Sequence, residues 1–291
     1  MFVSIYKKKN YLTIAIIACV ITFFLWLVLP PIDIYRYAHS APKSWAILQQ
    51  TKEKHPKLRI RHHYKPLKAI ATALAFTAIM GEDVDYLGHG AFDFAAIREA
   101  LKEWLIKGKK LRGASTITQQ LAKNLYLSHD RSWWRKLREV RYAFWLEIVL
   151  SKRRILELYL NIIELGEGIY GVEAAAQHYF GLHASQLNYQ QAAELAASIP
   201  SPKKHNPHTR TAAWYRRLQA INHRMQNFSW VRDRLTAYTI APKRQKNSAD
   251  TQPLAQPKIE NANQSPAPSV SGPAEDPAAG ASPAAEEANA F

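Results

Sequence analysis

The sequence is organised around residues 68–93, which run KAIATALAFTAIM and then GEDVDYLGHGAFD. The first part, residues 68–80, is rich in alanine and apolar on nearly all sides, which predicts a buried core helix. The second part contains four carboxylates, one histidine and three glycines, which favours a shaped loop over a regular helix. Ionisable groups on such a loop, beginning with Glu82, are typical of a catalytic site. The alternative is a solvated turn whose acidic residues cap neighbouring helices.

The acidic loop stands out because the chain as a whole is strongly basic. Its 291 residues include 39 Lys and Arg against 23 Asp and Glu, a formal net charge of +16. This excess implies a polyanionic partner, and nucleic acid, anionic lipid and phosphorylated substrates all qualify. The composition, 47% hydrophobic and 21% charged, suits one globular domain with additions. The single cysteine, Cys19, excludes an internal disulfide and a cysteine-built zinc site.

Residues 11–29 form an uncharged apolar run that predicts a transmembrane helix. At 1.5 Å per residue its length is about 28 Å, close to the roughly 30 Å hydrocarbon core of a bilayer. Three lysines at 7–9 place residues 1–10 in the cytoplasm. A cleaved signal peptide is the alternative, but its apolar core is usually shorter, and prolines at 30–31 replace a small-residue cleavage site. We therefore expect a retained anchor, with the rest of the chain outside the cytoplasm.

Two segments near the predicted membrane leave alternatives open. Residues 30–64 are basic and aromatic, and we interpret them as a membrane-proximal connector. His62 and His63 suggest metal binding, but adjacent histidines in a basic run more often form a solvated surface. Residues 94–110 carry an apolar stripe at helical spacing opposite a basic face. That pattern suits a helix on an anionic membrane surface or an ordinary core-facing helix.

The folded domain is predicted to span residues 65–235 and to be nearly all α, because no segment shows strand alternation of useful length. Two helices are expected within residues 130–161, with Ser151 as the second N-cap. Further helices are expected over residues 172–180, 187–199 and 212–228. Residues 236–291 are rich in Pro and Ala, cannot bury a core and are predicted to be disordered.

A first polar cluster follows the acidic loop. Ser115 and Thr116 read as a helix start, and helical spacing places Gln119, Gln120 and Lys123 near one face. Polar groups with a lysine beside a helix N-terminus suit a phosphate. Helix capping alone explains Ser115 and Thr116. It does not explain two glutamines and a lysine on the same face, and these favour a binding function.

A second polar cluster is cationic. Arg131, Arg135, Lys136 and Arg138 lie just upstream of a lone acidic residue, Glu139. The arginine at i−4 predicts at least a surface ion pair worth a few tenths of a kcal/mol. The functional interpretation is a cationic cradle that holds a carboxylate.

Taken in chain order, the acidic loop, the two polar clusters and the segments that follow them resemble the signature motifs of the family 51 glycosyltransferases. These are the peptidoglycan glycosyltransferases that polymerise lipid II. The resemblance covers about residues 65–230 and rests on segments of residues 81–93, 112–124, 135–161, 168–180 and 194–200. With one anchor and no following transpeptidase domain, the chain resembles the monofunctional members. The resemblance implies an all-α, lysozyme-like catalytic domain with a small membrane-proximal jaw subdomain, preceded by one transmembrane helix.

The resemblance also implies roles for individual residues. Glu82 matches the catalytic base and Glu139 the second glutamate of the site. Residues matched to substrate binding are Asp83, His89, Gly113, Ser115, Thr116, Gln119, Gln120, Lys123, Asn124, Arg131, Arg135, Lys136 and Lys152. The chain departs from the family pattern twice: Tyr86 stands where Phe is usual, and the glycine after the histidine is displaced by one, to Gly90.

The implied reaction joins two lipid-linked disaccharides. Glu82 takes the proton of the acceptor 4-hydroxyl as that oxygen attacks the donor anomeric carbon. Cations, expected at Lys123, Arg131, Arg135 and Lys152, stabilise the departing polyprenyl diphosphate. Direct displacement inverts the anomeric carbon and gives a β-1,4 link. No cofactor is required and no metal ligands are assigned, although Mg²⁺ or Mn²⁺ could assist at the diphosphate.

The expected partners are lipid II, the growing glycan strand, membrane lipid, and other cell-wall synthesis and division proteins. The expected location is the bacterial inner membrane, with a single span, a cytoplasmic N-terminus and a periplasmic catalytic domain, so nucleic acid is not expected as a partner. Two alternatives remain open from the sequence. One is a lysozyme-like hydrolase or lytic transglycosylase, for which a diphosphate cradle has no purpose; the other is a basic, membrane-tethered binding protein.

Overall fold

The computed structural model describes residues 2–108, 115–128 and 132–240. The chain divides into two units, residues 1–252 and 253–291, and every described residue belongs to the first. The α-helices are α1 (Phe2–Val28), α2 (Asp33–Tyr37), α3 (Ala46–Lys54), α4 (Thr72–Glu82), α5 (Phe94–Lys107), α6 (Ile117–Tyr126), α7 (Trp133–Val149), α8 (Lys152–Ile162), α9 (Val172–Phe180), α10 (Tyr189–Ser198), α11 (Ala212–Asn227) and α12 (Ser229–Ile240). The mostly helical fold class is thereby confirmed.

Three very short strands accompany the helices, namely β1 (Arg61–His62), β2 (Glu164–Gly166) and β3 (Ile169–Tyr170). They form one sheet in the order β1-β3-β2, with β1 parallel and β2 antiparallel to β3. Gly168 makes the turn between β2 and β3 at φ +70°, and a Cβ there would lie 2.8 Å from the carbonyl oxygen of Arg59. Strands this short show no alternation in the sequence, which explains why they were not predicted.

Helix α4 forms the centre of the core, as the sequence predicts. Every residue from 73 to 81 is buried, and α10, α11 and α12 pack around the helix. The helix nevertheless differs from the prediction, because it continues through Gly81 to end at Glu82. The glycine permits a close approach of α11: a Cβ at Gly81 would lie 3.3 Å from the Cδ1 atom of Ile221. Glu82 is therefore fixed by a helix end rather than held loosely in a loop.

The remaining helices follow the sequence prediction closely. Ser151 is the N-cap of α8 and accepts a hydrogen bond from the backbone N–H of Arg154 at 3.3 Å. Helix α5 ends at Lys107, earlier than residue 110, because Gly108 adopts a left-handed conformation at φ +60°. Helix α12 extends to Ile240, beyond residue 235 where the sequence placed the start of the tail. The rest of the predicted tail lies outside the described residues.

The predicted connector is part of the fold. It contains α2, α3 and β1, and Ile34, Trp45 and Leu48 are buried in the main core. His62 is not a surface histidine, because its Nε2 atom lies 3.1 Å from the Asn161 carbonyl oxygen and its ring packs edge-on against Trp45. Burial lowers the pKa of His62. His63 is exposed, as expected for a solvated residue.

The N-terminal apolar helix contacts the domain directly. In the described part of the chain, Thr13–Tyr37 is long and apolar enough to cross a membrane, and its most apolar 18-residue window has no buried residue. Arg141 of α7 donates hydrogen bonds to the carbonyl oxygens of Trp26 (2.5 Å) and Leu29 (2.7 Å), at the carboxyl end of α1. Trp134 stacks on Trp26 with ring centroids 5.7 Å apart. Helix α7 is thus joined to the end of the apolar helix.

Helix α5 exposes its apolar stripe. Leu101, Trp104 and Leu105 are 44%, 47% and 66% exposed, and none of residues 94–106 is buried. The core-facing alternative for this helix is therefore wrong. An exposed apolar stripe is typical of a surface that contacts a membrane or a partner.

Candidate active site

Glu82 lies at the end of α4, where side chains from two other helices bind its carboxylate. Gln120 of α6 donates from Nε2 to Oε2 at 2.6 Å. Arg217 of α11 forms an ion pair with Oε1 and also donates to the carbonyl oxygen of Gly81 at 2.9 Å. The Glu82 side chain is only 10% exposed. The carboxylate is therefore oriented, yet each oxygen still has a lone pair with which to accept a proton.

Asp83 shapes the loop that follows. Its Oδ1 atom lies 2.6 Å from Nε2 of His89, and its Oδ2 atom accepts the backbone N–H of Ile117 at 2.9 Å, at the start of α6. The Nδ1 atom of His89 lies 2.8 Å from the Gly90 carbonyl oxygen, so both ring nitrogens face acceptors. Burial disfavours the charged ring, but the hydrogen bond and charge of Asp83 outweigh burial, and the pKa of His89 is raised. Both residues organise the loop.

Helix α6 begins with a capping box. Thr116 accepts the backbone N–H of Gln119 at 3.2 Å, and the Gln119 side chain accepts the backbone N–H of Thr116 at 3.0 Å. Gln119 is thus used in capping, contrary to the expectation that capping would not explain it. Gln120 faces the site, and its Oε1 atom accepts the hydroxyl proton of Tyr159 at 3.0 Å. Burial raises the pKa of Tyr159 well above its ordinary value, which keeps this hydroxyl a donor.

Lys123 is a half-buried cation that lies one turn after Gln120 on α6. Burial lowers its pKa, and the nearby Arg135 charge acts in the same direction. The charges of the Glu139 and Glu82 carboxylates raise the pKa of Lys123 and so oppose the effect of burial. Among the residues that the structure describes, no carboxylate forms an ion pair with Lys123. The arrangement leaves a positive charge available to an anion.

Glu139 forms ion pairs with two cationic side chains of its own helix, α7. Arg135 donates to Oε2 at 2.8 Å, and Lys136 donates to Oε1 at 2.5 Å. The Glu139 side chain is 5% exposed, whereas the Lys136 side chain is 46% exposed. Ser132, the N-cap of α7, fixes the first turn by accepting the backbone N–H of Arg135 at 3.1 Å. Two of the four predicted cations, Arg135 and Lys136, therefore bind the Glu139 carboxylate.

Lys152 has a different environment from Lys123. Its Nζ atom donates to Glu147 at 2.7 Å and to the Gly90 carbonyl oxygen at 3.2 Å, and it lies 4.4 Å from the centre of the Tyr86 ring. Tyr86 is fully buried, and its hydroxyl donates to the backbone carbonyl of Lys152 at 2.7 Å. A phenylalanine would lack this bond. Lys152 therefore joins the acidic loop to α7 and α8 with its charge already paired.

The other predicted site residues contribute less to this arrangement. Ser115 is exposed and precedes the cap of α6, and Asn124 is half-buried on that helix. Gly113 and Arg131 lie outside the described residues.

The acidic loop contains a group with the spacing of a metal site. Ligand atoms of Asp83, His89 and Asp93 lie within 4.8 Å of one another. However, both oxygens of Asp83 and both ring nitrogens of His89 already have partners. Asp93 is the N-cap of α5 and accepts the backbone N–H of Ala96 at 2.8 Å. These residues do not fit a resident metal ion, since an ion would break the contacts that shape the loop.

Sequence reasoning missed Arg217 and Tyr159. Their partners, Glu82 and Gln120, are distant in sequence, and α11 reads simply as a polar, basic helix. A signal was nevertheless present: the buried residues Trp214, Leu218 and Ile221 form the apolar stripe of α11, and Arg217 lies beside that stripe. A basic residue next to the buried face of a helix is expected to have a buried partner.

Comparison with known proteins finds relatives of this chain. Residues 49–226 match the sequence model of the transglycosylase family. The biosynthetic peptidoglycan transglycosylase of Nitrosospira multiformis is 44% identical over 182 residues, 62% of this chain and 79% of the relative. The protein of the same name from Herminiimonas arsenicoxydans is 40% identical over 216 residues, 69% of this chain and 94% of the relative. The one from Chromobacterium violaceum is 39% identical over 213 residues, 72% of this chain and 93% of the relative.

Proposed function

This chain belongs to the transglycosylase family, and we propose that it is a peptidoglycan glycosyltransferase that polymerises lipid II into β-1,4-linked glycan strands and releases polyprenyl diphosphate. The observation that carries the proposal is Lys123, a half-buried cation without an ion pair among the described residues, which lies on α6 one turn after the Gln120 side chain that binds Glu82. A charge removed from water is costly unless a counter-ion binds. A diphosphate leaving group supplies that counter-ion.

Glu82 acts as the general base in this proposal. The acceptor 4-hydroxyl oxygen forms a bond to the donor anomeric carbon, the bond from that carbon to the diphosphate breaks, and the hydroxyl proton passes to Glu82. Gln120 and Arg217 hold the carboxylate from opposite oxygens, which supports a fixed direction for proton transfer. A single displacement inverts the anomeric carbon, so an α-linked diphosphate gives a β-1,4 link.

The cationic group stabilises the leaving diphosphate. Lys123 and Arg135 provide positive charge on neighbouring helices, and Glu139 orients Arg135 and Lys136 by binding both. Preorganised charges of this kind stabilise a transition state because they need no rearrangement during the reaction. A bound Mg²⁺ or Mn²⁺ is not required in this proposal. An ion carried in on the diphosphate would add to the positive charge of these side chains.

The membrane supplies the lipid-linked substrate. Helix α1 has the length and composition of an anchor, and we propose that residues 1–10 are cytoplasmic and the domain is periplasmic, since Lys7 to Lys9 precede the span. The exposed apolar stripe of α5 would rest on the outer surface of the same bilayer. Other cell-wall synthesis and division proteins remain predicted partners, and this prediction rests only on the family resemblance.

The test uses purified full-length protein with labelled lipid II. Glu82→Gln keeps the shape and removes the base, and its rate of polymerisation is expected to fall by about 10²- to 10⁴-fold. Glu53→Gln, an isosteric change at an exposed position of α3, is the matched control and is expected to behave as wild type. Circular dichroism and thermal melting check that both variants are folded.

Two results would contradict the proposal. Chain formation by Glu82→Gln at the wild-type rate would exclude Glu82 as the base. Release of soluble muropeptides from isolated cell-wall sacculi, without polymerisation of lipid II, would support a glycan-cleaving enzyme instead.

A further inference from the structure

Helix α11 directs two guanidinium groups at the carboxyl end of α4. Arg224 donates to the carbonyl oxygens of Met80 at 2.8 Å and Gly81 at 3.4 Å. Arg217 donates to the Gly81 carbonyl oxygen at 2.9 Å and, in addition, forms an ion pair with Glu82. Cations are expected where the last carbonyl oxygens of a helix lack hydrogen-bond partners, and both hydrogen bonds of Arg224 are of this kind. It does not account for the carboxylate contact of Arg217.

The contact with Glu82 is made in a nearly enclosed position. Glu82 is 10% exposed and the Arg217 side chain 30% exposed, and the Nε atom of Arg217 is buried without a hydrogen-bond partner. An unpartnered buried donor is unfavourable, so packing alone does not explain an arginine here. One Nη2 group binds the end of α4 and its last side chain together.

We propose that Arg217 is a positioning residue that holds the Glu82 carboxylate oriented toward the acceptor hydroxyl; this inference rests on the proposed role of Glu82 as the base. Arg217 and Gln120 bind different oxygens of the carboxylate, so together they fix its plane.

The groups that surround Glu82 come from several elements. Besides Arg217 of α11 and Gln120 of α6, the charge of Lys123 acts on the same region, and Tyr159 of α8 lies behind Gln120. Lys123 is assigned to the diphosphate, and Tyr159 is a neutral donor to an amide. Arg217 is therefore the cation that pairs with Glu82 among the described residues.

The experiment compares Arg217→Ala with Arg224→Ala in the full-length protein, with labelled lipid II as substrate. Arg224→Ala removes the contacts with the end of α4 without touching Glu82, so it is the matched control for stability. We expect Arg217→Ala to lower kcat by up to about 100-fold, the size of effect that misplacing a reacting group produces. KM should stay within about twofold, because Arg217 binds the base rather than the substrate. Arg217→Lys should recover part of kcat, as should added guanidinium at millimolar concentration.

The outcomes separate this inference from the proposed role of Glu82. If Glu82→Gln retains wild-type activity, the proposed role of Glu82 as the base fails; if Glu82→Gln is inactive while Arg217→Ala keeps the wild-type kcat, the positioning inference alone fails. A rise in KM with unchanged kcat would make Arg217 a substrate ligand and overturn the inference. If Arg217→Ala does not fold, Arg217→Lys is compared with Arg217→Gln, and equal kcat values for the two would overturn it.

Discussion

The two glutamates of the site are held in opposite ways. Glu139 is bound by Arg135 and Lys136, four and three residues earlier on the same helix. Glu82 is bound by Gln120 and Arg217, which are 38 and 135 residues away on two other helices. Both carboxylates are nearly enclosed, with side-chain exposures of 5% and 10%.

This difference has a physical consequence. The Glu139 cluster needs little more than one helix, since i, i+3 and i, i+4 pairs form within a single turn. The environment of Glu82 exists only when α4, α6 and α11 are packed together. The position of Glu82, the proposed base, therefore depends on the packing of three helices, whereas the proposed diphosphate-binding side of the site depends chiefly on α6 and α7.

Apart from the change at Glu82 itself, the largest effect is expected at Lys123, on which the charges of both glutamates act. Lys123→Met keeps the length and removes the charge, and we expect kcat to fall by about 10²- to 10³-fold because the leaving diphosphate loses the cation proposed to stabilise it. Lys52→Met, at an exposed position on α3, is the control and should leave kcat unchanged. Steady-state kinetics with labelled lipid II measure both. A wild-type kcat for Lys123→Met would remove this lysine from the leaving-group side.

The same contrast explains what the sequence could predict. The cradle of Glu139, the N-cap at Ser151 and the buried helix before Glu82 all follow from local spacing and composition. The pairing of Arg217 with Glu82 does not, because it depends on how two distant helices pack. The folding of the predicted connector was also missed, since its buried residues, such as Ile34 and Trp45, are scattered among basic ones.

A smaller effect is expected at Tyr159, which acts on Glu82 only through Gln120. Tyr159→Phe removes the hydroxyl that fixes the Gln120 amide, so Nε2 would face Glu82 only part of the time. We expect a several-fold fall in kcat, less than at Lys123, and a loss of about 1–2 kcal/mol in the free energy of unfolding because a buried acceptor loses its donor. Tyr189→Phe, at a position 42% exposed, is the control. An unchanged kcat together with the stability loss would limit Tyr159 to a structural role.

The smallest effect is a pH dependence confined to the Glu82 side. The pKa of His89 is raised in the folded protein, despite burial, by its hydrogen bond with Asp83. A raised pKa means that the folded state binds the proton more tightly than the unfolded state, so the stabilisation is complete below the ordinary value of 6.5 and is lost as pH rises through the higher folded value. Among the described residues, Glu139 is bound by Arg135 and Lys136, and no histidine contacts it.

The measurement is the midpoint of thermal unfolding of wild type and His89→Gln at pH 6 and pH 8.5. Wild type should melt above the variant at the lower pH, and the gap should narrow at the higher pH as the imidazolium loses its proton. The positive charge of Lys152 lowers the pKa of His89, and the charge of His89 in turn lowers the pKa of Asp85. Both residues are therefore left unchanged in the comparison. A gap of equal size at the two pH values would mean that His89 shapes the loop as a neutral ring. In that case, both sides of the site would be equally insensitive to pH near neutrality, and only the origin of their contacts would distinguish them.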